Sequence, residues 1–420
     1  MPKPRNVVGA LAIILLLVAL GLVIAQDQET LRVRTPLDAS HPRFPDYLAR
    51  LGGRPITTGD TYRVLRNGAE TFPAMLGAIE RARERISFEA YIYSDGEIAG
   101  RFTQALIAAA RRGVRVQMVL DAVGAADIDA AGVGAMQEAG VQIGYFNPFS
   151  YTQLEEINYR THRKILVVDG EVAYVGGIGI ADHWRGRADS PDNWRDTQFE
   201  IRGPAVDNVE AGFHENWIET GGIVAPIVEP RSGPPAGRAR SIVVWSSAEA
   251  GSNSLKLIYL LAIGGARRSI DIQSPYLIAD DSTMWSLLEA RRRGVRVRLL
   301  SEGDITDAKP VKFATRALYE TLLERGVELY EYQPTMMHTK TMVVDGVISI
   351  IGSANFDNRS LELNDELNVV VSSDELAAEL TRDFEADVRQ SLKIDLESWR
   401  SRPAHIRLRE KMWGFFGEVF

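Results

Sequence analysis

The chain has 420 residues, 45% of them hydrophobic and 25% charged, with a formal net charge of −8 and no cysteine. That length and composition suit two globular domains with ample core material, plus extra segments. The acidic balance is a poor match for a nucleic-acid backbone, though a local basic groove can hide within it; the missing thiols exclude disulfides, thiolate catalysis and Cys-ligated zinc.

The first predicted element is an apolar run from Val7 to Ala25, preceded by Lys3 and Arg5 and followed by Asp27 and Glu29. It is long enough to cross a bilayer, which takes ~20 residues, and its positive flank favours an N-in, C-out orientation. We read residues 1–28 as a membrane anchor, with a signal peptide cleaved near Ala25 as the rival. Either places the body outside the cytoplasm. Next come a predicted strand (Ile86 to Tyr93), a helical pattern (Phe102 to Ala110), a β-branched strand (Val114 to Leu120) and a Gly-Val entry into another strand at Gly140. The sequence His162-Arg163-Lys164-Ile165-Leu166-Val167-Val168-Asp169-Gly170 then reads as a buried strand closing in an Asp-Gly hairpin turn.

The same series then recurs. A strand (Ile270 to Tyr276), a helical pattern (Trp285 to Ala290), a strand (Val295 to Leu300) and a Gly-Val entry at Gly326 lead to His338-Thr339-Lys340-Thr341-Met342-Val343-Val344-Asp345-Gly346. Such an internal repeat of strands alternating with helices predicts an α/β sheet covered by helices. The Pro/Gly-rich link Glu229 to Gly237 separates the copies, giving lobes over 50–228 and 238–400. Asp182 to Trp194 reads as a polar loop beside the first motif that shapes a substrate entrance. From His405 to Phe420, Ile406, Leu408, Met412, Trp413, Phe415, Phe416, Val419 and Phe420 fall on about half a helical wheel, with Arg409 among them. Residues 401–420 are thus an amphipathic helix, docked on its own domain or lying on lipid.

Each motif is H-x-K-x4-D followed by Gly. Residues two apart on a strand share a face, so each copy projects an imidazole beside an ammonium. A nucleophile or proton carrier next to a fixed cation is equipment for attacking phosphorus. Two imidazoles can divide attack and proton transfer, while Lys164 and Lys340 hold the non-bridging oxygens without a metal or other cofactor. Six residues after each motif Asp, small-residue turns begin, at Gly176-Gly177 and Gly352-Ser353, where backbone N–H groups can approach a ligand. Asn355 adds a side-chain amide. Asp169 and Asp345 precede glycine and are read first as turn residues. His41, His183, His214 and His405 fit no part of the pattern.

On the doubled H-x-K-x4-D-x6-G-[GS] pattern, the chain resembles the phospholipase D superfamily and, within it, the bacterial cardiolipin synthases, from about Thr61 to Trp399. Asn67-Gly68, Glu89-Ala90-Tyr91, Arg195-Asp196-Thr197, Gln273-Ser274-Pro275-Tyr276 and Phe356-Asp357-Asn358-Arg359-Ser360 add to the likeness. The resemblance implies two similar α/β/α lobes facing each other across a pseudo-two-fold axis and sharing one active site. It implies a phosphohistidine on His162, with His338 as acid and base and with Asp196 and Glu366 orienting the imidazoles. It further implies a phospholipid substrate at the bacterial membrane, no nucleic acid, and cardiolipin made from two phosphatidylglycerols. Hydrolysis of phospholipid head groups and nuclease-type phosphodiester cleavage are the alternatives within the superfamily. One departure stands out: Gly179 occupies a position where the family usually has Asn, which removes an amide and suggests a roomier pocket.

Overall fold

The computed structural model describes residues 30–149, 158–223, 235–247 and 254–415. The expected anchor over Val7–Ala25, most of the Pro/Gly-rich link and residues 416–420 lie outside that set. Among the described residues no helix is long and apolar enough to cross a membrane.

Among the described residues, fifteen strands form one continuous sheet. In the first half these are β1 (Ile56–Arg66), β2 (Arg85–Ala90), β3 (Arg115–Asp121), β4 (Gln142–Phe146), β5 (Ile165–Val168), β6 (Val172–Gly176) and β7 (Thr197–Arg202). In the second half they are β8 (Ala239–Trp245), β9 (Ser269–Gln273), β10 (Arg296–Glu302), β11 (Glu328–Tyr332), β12 (Thr341–Val344), β13 (Ile348–Gly352), β14 (Leu367–Ser372) and β15 (Ser391–Ile394). From one edge to the middle the order is β4-β3-β2-β5-β6-β7-β1, and from the other edge, inside β15, it is β11-β10-β9-β12-β13-β14-β8. The two orders coincide when each strand is advanced by seven. The halves meet through the antiparallel β1–β8 pair, in which Ile56 lies opposite Ile242. Two copies of one order, joined antiparallel at their innermost strands, are related by a two-fold operation, so equivalent strand ends from both halves converge on the same seam.

Residue chemistry explains the placement. β5 is apolar throughout, β12 is apolar after Thr341, and both are fully buried, as strands covered on both faces must be. Alternate residues serve different cores. Leu166 and Val168 join the first lobe's own core, while Ile165 and Val167 join a core shared by both lobes. Likewise Met342 and Val344 face the second lobe's core and Val343 the shared one. Helices Ala205–Glu219 and Asp374–Val388 cover the shared face, contributing Val209 and Phe213 from the first and Leu376 and Leu380 from the second.

The motif aspartates sit at the turns, away from the histidines. Asp169 and Asp345 take φ of 55° and 53°, followed by Gly170 and Gly346 at 68° each, as a tight hairpin requires. The Asp169 carboxylate accepts three backbone N–H bonds, from Arg83, Glu84 and Arg85, at 2.8–2.9 Å. Asp345 does the same for Arg267, Arg268 and Ser269, at 2.7–2.9 Å. Each aspartate thus fastens the hairpin to the entry of the neighbouring strand.

The C-terminal helix spans Ala404–Gly414 and packs along helix Lys309–Ala317. Its inward side carries Glu410, bonded to Arg402, while Leu408, Met412 and Phe415 are exposed. Ile406 and Trp413 are half-buried, so the wheel's apolar set is divided between the docked and the outward sides. Phe416, Val419 and Phe420 lie outside the described residues.

Candidate active site

Both histidines line one cavity of about 400 Å³, together with Lys164, Tyr91, Arg160, Tyr276, Asn355 and Arg359. The strands alone do not bring them there. Regular pairing begins only at Ile165 and Thr341, and the expected strands over the whole motifs are shorter than the pattern suggested. The His-Lys segments instead leave the ladder and cross to the opposite lobe. His162 N–H donates to Asp365 O at 2.8 Å, and His338 N–H donates to Arg195 O at 2.7 Å. Isolated bridges pair Thr161 with Asp365 and Met337 with Arg195.

This crossing exchanges the acids. His162 Nδ1 lies 2.8 Å from Glu366 Oε1, and His338 Nδ1 lies 2.7 Å from Asp196 Oδ2. Each lobe orients the other lobe's imidazole. Asp196 also accepts from Trp184 Nε1 at 3.0 Å and from Thr197 N at 2.7 Å, and Glu366 accepts from Ser353 Oγ at 2.5 Å. A carboxylate only accepts, so each Nδ1 carries the imidazole proton and each Nε2 its lone pair.

Burial dominates the electrostatics. Removal from water lowers both imidazoles to about 4, so both are neutral at neutral pH. Burial and the neighbouring Lys340 lower Lys164 to about 7, and burial lowers Lys340 to about 8 against the pull of Asp196 and Glu366. Burial would raise Glu366, but His162 and Lys164 outweigh it and hold the carboxyl at about 2. The site is therefore a neutral imidazole pair with adjustable cations, ready for an anion.

The two halves are not equivalent. Lys340 Nζ lies 3.0 Å from His338 Nε2 and 2.8 Å from His338 O. Lys164 Nζ donates to His162 O at 2.9 Å, and His162 Nε2 has no hydrogen-bond partner among the described residues. Thus one imidazole offers a free lone pair while the other is engaged by an ammonium.

The small-residue turns separate in the same way. A Cβ at Gly177 would fall 2.3 Å from Asp196 Oδ1, so only glycine admits the carboxylate there. Its counterpart Ser353 instead bonds the longer Glu366. Gly176 and Gly352 press on Thr197 O and Leu367 O, where a Cβ would meet those oxygens at 2.6 and 2.4 Å. At Gly179 the sequence reading needs correction. A Cβ there would meet the Trp184 ring at 2.8 Å, so an indole fills the space and the pocket is not roomier. Its counterpart Asn355 does line the cavity. The loop expected beside the first motif also serves the second: Trp184 and Trp194 pack at 5.5 and 5.4 Å from the His338 ring. Sequence reasoning passed over Arg160 and Asp307, and it placed Trp184 in the entrance loop rather than on Asp196. Tyr91, Tyr276, Asp357 and Arg359 stood in quoted segments without a role. Aromatic and charged residues inside otherwise small-residue turns were the available signal.

Taken together, two copies of a His-Lys-acid set around one cavity define a class of phosphoryl- or phosphatidyl-transferring enzymes that work through histidine. The family described as "Cardiolipin synthase, PLD-like domain" matches residues 75–185 and 259–388, and the chain belongs to that phospholipase D-like family. It is 35% identical over 367 residues to a cardiolipin synthase of Geobacillus kaustophilus (strain HTA426), covering 86% of this chain and 73% of the relative. It is 33% identical over 390 residues to cardiolipin synthase 1 of Bacillus anthracis, covering 90% of this chain and 76% of the relative. The fold is similar to that of phosphatidylserine synthase from Haemophilus influenzae Rd KW20, with a TM-score of 0.70 at 12% identity over 90% of this chain and 100% of that one.

Proposed function

We propose that the protein is a phosphatidyltransferase that makes cardiolipin from two phosphatidylglycerols. The observation that carries this reading is the shared cavity, in which a free imidazole lone pair and an ammonium-engaged imidazole sit together. In the first step His162 Nε2 attacks phosphorus, forming a P–N bond as the P–O bond to glycerol breaks. His338 delivers a proton from Nε2 to the departing oxygen. Lys340, 3.0 Å away, is the nearest source of that proton once a bound anion favours the imidazolium. In the second step the terminal hydroxyl of another phosphatidylglycerol gives its proton to His338 and attacks phosphorus. The P–N bond breaks and His162 is restored. Lys164 and Lys340 offset the charge on the non-bridging oxygens, and Asn355 supplies an amide at the same wall. Glu366 and Asp196 hold the tautomers.

Hydrolysis remains the competing outcome, since water can take the place of the acceptor alcohol. Incubating the purified protein with phosphatidylglycerol distinguishes the two: cardiolipin and glycerol support transfer, and phosphatidic acid alone refutes it.

A lipid substrate places the body at the bacterial membrane. The run Val7–Ala25 supplies a single anchor with its N-terminus inside, ahead of lobes over 50–228 and 238–400. The C-terminal helix presents Leu408, Met412 and Phe415, flanked by exposed Arg409 and Lys411, to the anionic lipid surface. Deleting residues 401–420 lowers binding of an anchorless protein to phosphatidylglycerol vesicles on this reading; unchanged binding removes the helix's lipid role.

A further inference from the structure

The cavity is lined by two arginines that the transfer steps leave unused, Arg160 and Arg359. Arg359 reaches across from the second lobe and donates from Nη1 to Asn158 Oδ1 at 2.7 Å and from Nη2 to Asn158 O at 3.0 Å. Both acceptors are neutral. Among the described residues no carboxylate lies within ion-pair distance of it. Arg359 is half-buried, and the fully buried arginines differ: Arg163 pairs with Glu215 at 2.6 Å, Arg195 with Asp387 at 3.0 Å and Arg298 with Asp271 at 2.7 Å. Arg160, on the same cavity wall, has Asp121 at 3.5 Å and gives further bonds to Tyr159 O and Asn147 O. The cavity's carboxylates are turned elsewhere, Asp307 to Tyr276 Oη at 2.7–2.8 Å and Asp357 to Ser360 N at 2.7 Å. A guanidinium held by neutral acceptors on the wall of a ligand cavity, with no carboxylate within ion-pair distance among the described residues, is a site for an anion.

We infer that Arg359 holds the phosphate of the acceptor lipid, so that the cavity has a second anion position beside the reacting phosphorus. The inference rests on the phosphatidyltransferase reading and adds acceptor selection to it. In the second step two phosphates must occupy one cavity of about 400 Å³, separated by a single glycerol unit. The first is met by Lys164 and Lys340. The acceptor's own phosphodiester is also an anion and needs a separate cation. Arg160 already faces Asp121, so Arg359 is the arginine left available, and its planar fork suits two phosphate oxygens. Neutral acceptors such as glycerol or water gain nothing from it. Arg359 thereby favours an anionic lipid alcohol over both.

The test compares two reactions of the full-length protein in micelles of phosphatidylglycerol. Exchange of labelled glycerol into phosphatidylglycerol forms the same covalent intermediate and resolves it with a neutral acceptor. Cardiolipin formation resolves it with an anionic one. Arg359→Gln should lower cardiolipin formation by about 10- to 100-fold, as expected for losing a charged hydrogen-bond pair, chiefly through KM for the acceptor. Glycerol exchange should stay within about 2-fold, which also reports that the variant is folded. Arg359→Lys should fall between the two. Equal loss of both reactions in both variants, or no loss of cardiolipin formation, overturns the assignment. A wild-type protein that exchanges glycerol but forms no cardiolipin overturns the parent reading instead.

Discussion

Removing one orienting carboxylate at a time should separate the roles of the two imidazoles, because each acid serves the histidine of the other lobe. Asp196→Asn keeps the volume and takes the charge from His338 Nδ1, 2.7 Å away. It also turns an acceptor that Trp184 Nε1 and Thr197 N already occupy into a group with two donors of its own. His338 then loses the partner that fixes its tautomer and stabilises its imidazolium. Loss of one positioned acid is worth about 10²- to 10⁴-fold in rate, or about 3–5 kcal/mol of barrier. Glu366→Gln should cost as much, but through the nucleophile. The assay is the burst of p-nitrophenolate from a p-nitrophenyl phosphatidyl ester, whose leaving group needs no proton. Asp196→Asn should recover to within about 10-fold of wild type in the burst while remaining slow in cardiolipin synthesis, and Glu366→Gln should be slow in both. Equal rescue of both variants, or rescue of Glu366→Gln alone, would refute the division of labour.

Replacing Asp345 with Ala removes three backbone acceptor bonds at the far end of the hairpin; we expect a loss of about 2–4 kcal/mol in urea unfolding, with turnover per folded molecule little changed. Gly179→Ala should force Trp184 off Asp196, costing about 1–3 kcal/mol of stability and at least about 10-fold in kcat; unaltered kcat would mean the indole plays no part in holding Asp196. The pH dependence has a definite sign. His162 and His338 are lowered to about 4, so between about 6.5 and 4 the unfolded chain binds protons that the folded chain refuses, and stability must fall on acidification through that window. On the alkaline side, Lys164 at about 7 and Lys340 at about 8 lose their charge, so kcat/KM for the free enzyme should decline there, and a flat profile from pH 7 to 9 would contradict this.

The sequence pattern reached the repeat, the α/β class and the His-Lys pairs because these are local or periodic signals. Alternation along Ile165–Val168 and Thr341–Val344 is written in consecutive residues, and so are the Asp-Gly turns. The pairing of His162 with Glu366 spans 204 positions and depends on two lobes closing over one seam. Nothing local specifies it; the sequence placed the acids without saying which imidazole each meets. The Gly179 error has the same origin. A missing side chain looks like empty space until another residue is known to fill it, and Trp184 arrives there only through the turn that follows β6. At the C-terminus periodicity identified the helix but not which side docks, because the buried Glu410 is held by Arg402, a partner that the wheel does not show.

The most direct test is to trap the covalent intermediate with phosphorus-labelled phosphatidylglycerol, quench it in alkali and map the label by mass spectrometry. Convergence of both lobes on one phosphorus predicts a single labelled histidine per chain, His162, with none in His162→Ala and retention in Asp196→Asn. Label on both His162 and His338, or persistent label in His162→Ala, would show two independent sites and contradict the account.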